Sequence, residues 1–306
     1  MSLPPDIETL PAAPQSLLGV FLRFLRRPVY SERLYPSPNR RAILSDILRL
    51  YSLMIAVLIP ILLMVSAARG QVGASEDPIS DFLQKTPLLV LVLAVVVGAP
   101  LLEEMMFRLP LRFSAFNISL PLTFLLLAIN VGNPGLRFLF AVAVGLLVRY
   151  LLHHRVQRAA GHAFYAKYIG WIIYGSALLF GAIHIFNFDA KTYVVAPLIV
   201  MPQITAGIFF AFIRLRHGFW WAVFAHGFHN FCAIFPLSLM KFGSAGLQAN
   251  GFSDLEQVTL TPVDYVLLAS LLIFIGGGLF LCLRSVAQML TEWRLERRAA
   301  KLSLKT

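Results

Sequence analysis

Hydrophobic and polar positions divide the chain into long apolar runs separated by short basic, polar or Pro/Gly-containing breaks. The runs fall at about 48–68, 87–112, 118–131, 136–152, 168–187, 192–213, 218–238 and 263–284. Most approach the ~20 apolar residues that a helix needs to span a bilayer. The pattern therefore predicts an all-α membrane protein, a polytopic bundle of about eight transmembrane helices. The third run is the shortest, and its predicted hairpin with the fourth turns around Gly132-Asn133-Pro134-Gly135. Ahead of the first crossing, QSLLGVFLRFLRR sets Arg23, Arg26 and Arg27 on one helical face and Leu18, Phe21, Leu22 and Leu25 elsewhere. That is the pattern of an N-terminal amphipathic helix at the membrane interface. Residues 1–15 are Pro-rich and read as disordered.

Composition agrees. Hydrophobic residues make up 58% of the chain and charged residues 13%, about half of what a soluble domain carries. The net charge of +11 could suggest nucleic acid, but the charges flank the apolar runs, so topology accounts for them and no nucleic-acid partner is expected. Lys and Arg alternate along the chain between a rich side and a poor side. The positive-inside rule then places both termini in the cytoplasm. The expected organisation is a cytoplasmic segment over 1–47, a transmembrane bundle over 48–284 and a basic cytoplasmic tail over 285–306, read as a solvated helix that touches anionic lipid. SAGLQANGFSDLEQ (244–257) reads as an external loop over the far side of the bundle. Cys232 and Cys282 lie inside apolar runs and read as small core residues.

Candidate chemistry enters where polar residues interrupt the apolar runs. The stretch 87–102 is sixteen residues, only ~24 Å of helix, so the second crossing must continue through Glu103, Glu104 and Arg108 to complete its span. An ionisable residue at that depth marks a functional site. Glu104 and Arg108 are four apart and can pair, whereas Glu103 points ~100° away toward a different neighbour. One carboxylate is then neutralised and the other is left for chemistry. The bland alternative is a Glu-Glu-Arg cluster reaching to the interface. Two further clusters weigh against it. Phe180 and His184 share a face of the fifth crossing. In the seventh, His226 and Asn230 are four apart with His229 beside them, and His226 sits ~15 Å beyond Arg216. Polar groups in three helices must face one another or a wet cavity.

A free carboxylate with histidines in such a cavity suits hydrolysis, the carboxylate activating water and imidazole or amide donors stabilising the oxyanion. Ser176 reads as a helix-packing residue rather than a nucleophile. The rival chemistry is zinc held by Glu103, His184 and His226, although these are scattered, unlike a local HExxH.

These residues resemble the CPBP family of CAAX-protease and bacteriocin-processing membrane proteins. EEMMFR (Glu103, Glu104, Arg108) is similar to its EExxxR motif, FGAIH (Phe180, His184) to FxxxH, and HGFHN (His226, Asn230) to HxxxN, all in the family's order over about 87–235. The resemblance implies an eight-helix intramembrane endopeptidase. In it Glu103 activates water, Glu104 and Arg108 support it, His184 holds the water, and His226 and Asn230 stabilise the oxyanion. It implies a membrane-associated peptide substrate, prenylated or otherwise lipid-modified in some members. The family is often labelled a metalloprotease; the favoured reading is a glutamate mechanism that requires no cofactor, with zinc as the alternative. Two departures stand out: Leu109-Pro110 follows the arginine where the family has glycine, and the extra hairpin 118–152 lengthens the spacing from Glu103 to His184. A non-catalytic scaffold or immunity-type interaction protein is the second reading. A proton-coupled transporter is the third, with Pro197 and Pro202 as broken-helix candidates.

Overall fold

The computed structural model describes residues 15–29, 39–73, 82, 85–128, 133–156, 158–244 and 260–303. Most of the Pro-rich stretch 1–15, the tip of the 132–135 turn at Gly132, and nearly all of the external loop 244–257 lie outside the described residues. Among the described residues nine helices carry the fold: α1 (Leu17–Arg26), α2 (Arg40–Gln71), α3 (88–107), α4 (Ala115–Ala128), α5 (Pro134–Val156), α6 (Ala159–Ile183), α7 (Met201–His217), α8 (Phe219–Met240) and α9 (Pro262–Ser303). This is an all-α polytopic membrane protein.

Six helical segments are long and apolar enough to cross a membrane: Arg40–Gln71, Leu88–Leu111, Pro134–Val156, Ala159–Asn187, Phe219–Leu239 and Pro262–Lys301. A seventh crossing forms if Ala190–Ile199 and α7, bent by 42° at their junction, are one span. The expected third crossing is the outlier. Its helix, α4, has 14 residues, ~21 Å at 1.5 Å each, well short of a hydrocarbon core of ~30 Å. Among the described residues the count is thus six or seven rather than eight, with α4 packed antiparallel to α5 as the predicted hairpin. Pro197 and Pro202 stand in the first turns of the two closely spaced helices around the 42° bend, where a missing N–H leaves no bond unmade.

α7 is the centre of the bundle. Phe209, Phe210, Ala211, Phe212, Ile213 and Leu215 are all buried, and a helix that is apolar all round belongs inside a core. It packs against α6, α2 and α8. The connection to α8 is the single residue Gly218, whose φ of 106° is left-handed backbone that glycine adopts without a steric cost. This tight reversal lays α8 back along α7. Phe210 and His226 are each eight residues from Gly218 and so come level, ~12 Å from the turn. On the outside, α5 and α9 expose Phe138, Leu139, Phe140, Leu272, Ile273 and Phe280, a surface fitted to lipid rather than water.

The amphipathic helix expected near residue 16 is α1. Its apolar side is covered by the bundle: Phe21 lies 4.5 Å from Phe209 and 5.1 Å from Phe212, ring centre to ring centre. Arg23 and Arg26 face outward. The basic tail is helical, as expected, but it is not a free solvated segment. It is the continuation of α9, and Glu296 accepts from the Ser16 backbone N–H at 3.1 Å and pairs with Arg23 at 3.2 Å. One turn earlier, Glu292 pairs with Arg49 of α2. These pairs are partly exposed, and each contributes under ~1 kcal/mol. Replacing Glu292 and Glu296 by alanine is expected to speed amide exchange across α1 while lowering the unfolding midpoint by no more than about 4 °C. Unchanged exchange would mean that the aromatic contacts of α1 hold it alone.

Candidate active site

α3 is irregular for a reason visible in its sequence. Pro100 has no N–H and its ring crowds the carbonyl four residues earlier, and just ahead of it Val92–Gly98 winds as a π-helix. Ala99 accordingly donates to Ala94 rather than to Val95. Regular α-helix resumes over Ala99–Phe107 and carries both glutamates. It stops at Arg108, where Leu109–Leu111 form a single tight turn around Pro110. This is the Leu109-Pro110 departure, and neighbouring helices hold it. Ser176 Oγ donates to the Phe107 carbonyl at 2.6 Å, Arg214 Nε to the Arg108 carbonyl at 3.1 Å, and the Tyr165 hydroxyl to the Pro110 carbonyl. Ser176, expected only to let helices approach, thus caps the end of α3. With these donors in place, Arg108 stays inside the bundle.

Arg108 and Glu104 are both wholly buried. Arg108 Nε lies 3.5 Å from Glu104 Oε1, the i, i+4 pairing expected from the spacing. The guanidinium sits 4.2 Å from the centre of the Phe180 ring, a cation–π contact strengthened by the absence of water. His226 meets Glu104 from α8, with Nδ1 3.0 Å from Oε1. Its other nitrogen, Nε2, lies 3.4 Å from Glu103 Oε2. The two glutamates do diverge along α3, but they do not reach different neighbours: one imidazole fills the wedge between them. Its plane lies on Phe210, 4.6 Å away at 20°, and its edge meets Phe180 at 5.7 Å. Glu103 is the accessible end of this chain, its side chain 22% exposed where that of Glu104 is 0%.

His184 caps α6, and its Nδ1 lies 2.6 Å from the Phe180 carbonyl. The carbonyl can only accept, so Nδ1 carries the hydrogen and Nε2 keeps its lone pair. The ring packs on Phe180 at 4.7 Å, the same ring that meets His226 and lies under the Arg108 guanidinium. α6 begins earlier than the expected fifth crossing and ends just before His184, which meets the cluster through Phe180. Asn230 Nδ2 donates to the Val95 carbonyl of the π-turn at 2.8 Å. His229 turns away, between Tyr51 and Phe210. Among the described residues no three His, Cys, Asp or Glu side chains converge closely enough to hold a metal ion.

Sequence reasoning missed Phe210, Arg214 and Tyr165. Phe210 is one aromatic among many in an apolar run. Arg214 carried a signal, a charge at the end of the sixth run, which reads first as a mark of topology.

Residues 85–232 match the family model of the type II CAAX prenyl endopeptidase Rce1-like domain, which spans both glutamates, Arg108, His184, His226 and Asn230. No curated protein and no solved structure matches the chain.

Proposed function

We propose that this chain, whose residues 85–232 match the Rce1-like, type II CAAX prenyl endopeptidase family, hydrolyses a peptide bond of a membrane-associated substrate with water activated by Glu103. The observation that carries the reading is the asymmetry of the two carboxylates on one imidazole: Glu104 buried and paired, Glu103 reachable.

When His226 carries two ring protons, the row Arg108, Glu104, His226, Glu103 alternates in sign and sums to zero. A buried charge set is tolerable when it is paired in this way. Glu104 and Arg108 act as support: Glu104 fixes the tilt of His226, and Arg108 pairs with Glu104. Glu103 takes one proton from a water molecule, and His184 Nε2 accepts the hydrogen bond of the other. The water oxygen attacks the substrate carbonyl carbon, and the carbonyl becomes an oxyanion that His226 Nε2–H can receive in place of Glu103. Collapse of this tetrahedral species breaks the C–N bond, and Glu103 returns its proton to the leaving amine. The products are a carboxylic acid, which gives its remaining proton to the released amine or to water, and that amine, with Glu103 regenerated. No metal or other cofactor enters this scheme.

Both termini face the cytoplasm in this proposal, so the substrate reaches Glu103 from the cytoplasmic half of the bilayer. The purified protein in detergent is expected to cut quenched peptides at an internal bond, giving two fragments by mass spectrometry. A farnesylated C-terminus is expected to lower KM relative to the unmodified peptide, because lipid adds apolar area to bury. Release of single terminal residues instead would contradict an endopeptidase.

A further inference from the structure

We propose that Asn230 is a positioning residue: it serves the Val95 carbonyl that Pro100 leaves without a donor, and thereby sets the register of α8, and of His226, against the two glutamates. The inference rests on the peptidase reading for its catalytic consequence but not for its structural one.

The carbonyl accounting is simple. In an α-helix the Val95 oxygen would accept from Ala99, but that N–H goes to Ala94. In a π-turn it would accept from residue 100, which is proline and has no N–H. The Asn230 amide, at 2.8 Å, is the donor that meets it. The next carbonyl, Val96, is four residues before Pro100 and lacks its α-helical donor for the same reason. Gly227 of α8 lies directly over it, and a Cβ at that position would come within 2.6 Å of the Val96 oxygen. Both carbonyls disturbed by Pro100 therefore face α8, at the residue after His226 and at the residue one turn beyond His226. A residue added by a π-turn rotates everything after it by about 100°. Glu103 and Glu104 thus flank His226 only while the π-turn stands, and π-turns inside α-helices are frequent at functional sites. An amide aimed at the reacting carbonyl, as the oxyanion role implies, would have no reason to be engaged with α3 before substrate arrives.

A double-mutant cycle on the full chain in detergent tests this, using Asn230→Ala, Pro100→Ala and the pair. Without substrate, Asn230→Ala is expected to lower the unfolding midpoint by about 3 °C, because a carbonyl in a dry bundle loses its donor. In the Pro100→Ala background, where residue 100 regains its N–H, the same substitution is expected to cost less than about 1 °C. On a farnesylated quenched peptide, Asn230→Ala is expected to lower kcat by about 10- to 100-fold at nearly constant KM, with most of the loss recovered in the Pro100→Ala background, where the N–H of residue 100 serves the Val95 carbonyl in the π register and the turn is kept. An unmoved midpoint overturns the proposal, and so does an equal loss in both backgrounds. Thermal coupling without recovery of kcat would overturn the catalytic half of it. Failure of the peptidase reading would show separately, as the absence of any Glu103-dependent cleavage, and leaves the thermal cycle readable.

Discussion

Glu103→Gln is expected to reduce kcat by about 10²–10⁴-fold with the fold intact, the range attached to a general base. Glutamine keeps the shape and can still accept a hydrogen bond from His226 Nε2, but it cannot take the proton of water at any working pH. The side chain is partly exposed and lies outside the buried Arg108–Glu104 pair, which the substitution leaves intact. The unfolding midpoint should move by only a few degrees. Glu103→Asp is expected to fall between the two, since it keeps the base and withdraws it by one methylene, and geometry of this kind is steep in its effect on rate. The check is kcat on the peptide that the wild type cuts best. A glutamine variant within threefold of wild type would remove Glu103 from the chemistry.

Arg108→Met is expected to have the largest effect on stability. It keeps most of the side-chain volume over Phe180 while leaving Glu104 as an uncompensated carboxylate in a site without solvent access. Breaking one side of a buried pair costs about 3–5 kcal/mol, about 10 °C in the unfolding midpoint for a chain of this size. Removing both charges, in Glu104→Gln with Arg108→Met, is expected to recover most of that loss, because an uncharged pair of similar shape has no desolvation to repay. Thermal unfolding of the single and double variants decides between charge and packing. If the double variant is no more stable than the single one, the guanidinium acts through its contacts with Phe107, Phe180 and Phe210 rather than through Glu104.

How much of this was legible in the sequence follows the range of the forces involved. The Glu104–Arg108 pair was legible because both residues lie on one helix and i, i+4 spacing is a local rule. His184 and His226 were legible as residues that must find partners in a membrane, but their partners were not: the wedge of His226 between the glutamates depends on how α7 and α8 fold back at Gly218. The π-turn was hidden for a similar reason. Pro100 announces that an N–H is missing, but whether the helix kinks or widens depends on Asn230 and Gly227, which are more than a hundred residues away. The amphipathic character of α1 could be read from its periodicity, while the surface covering its apolar side could not, because lipid and the aromatic face of α7 satisfy leucine and phenylalanine alike. The short α4 shows the limit of run length as a guide, since an apolar run fixes burial in lipid and not the extent of continuous helix.

The central claim is that Glu103, without a metal, activates the water. The most direct test is the rate of cleavage of one farnesylated quenched peptide by wild type and by Glu103→Gln, each with and without a chelator. The glutamate mechanism predicts a wild-type rate unchanged by chelation and a variant at background in both conditions. Wild-type activity that disappears under chelation and returns with added Zn²⁺, or a variant that cleaves as fast as wild type, would contradict it.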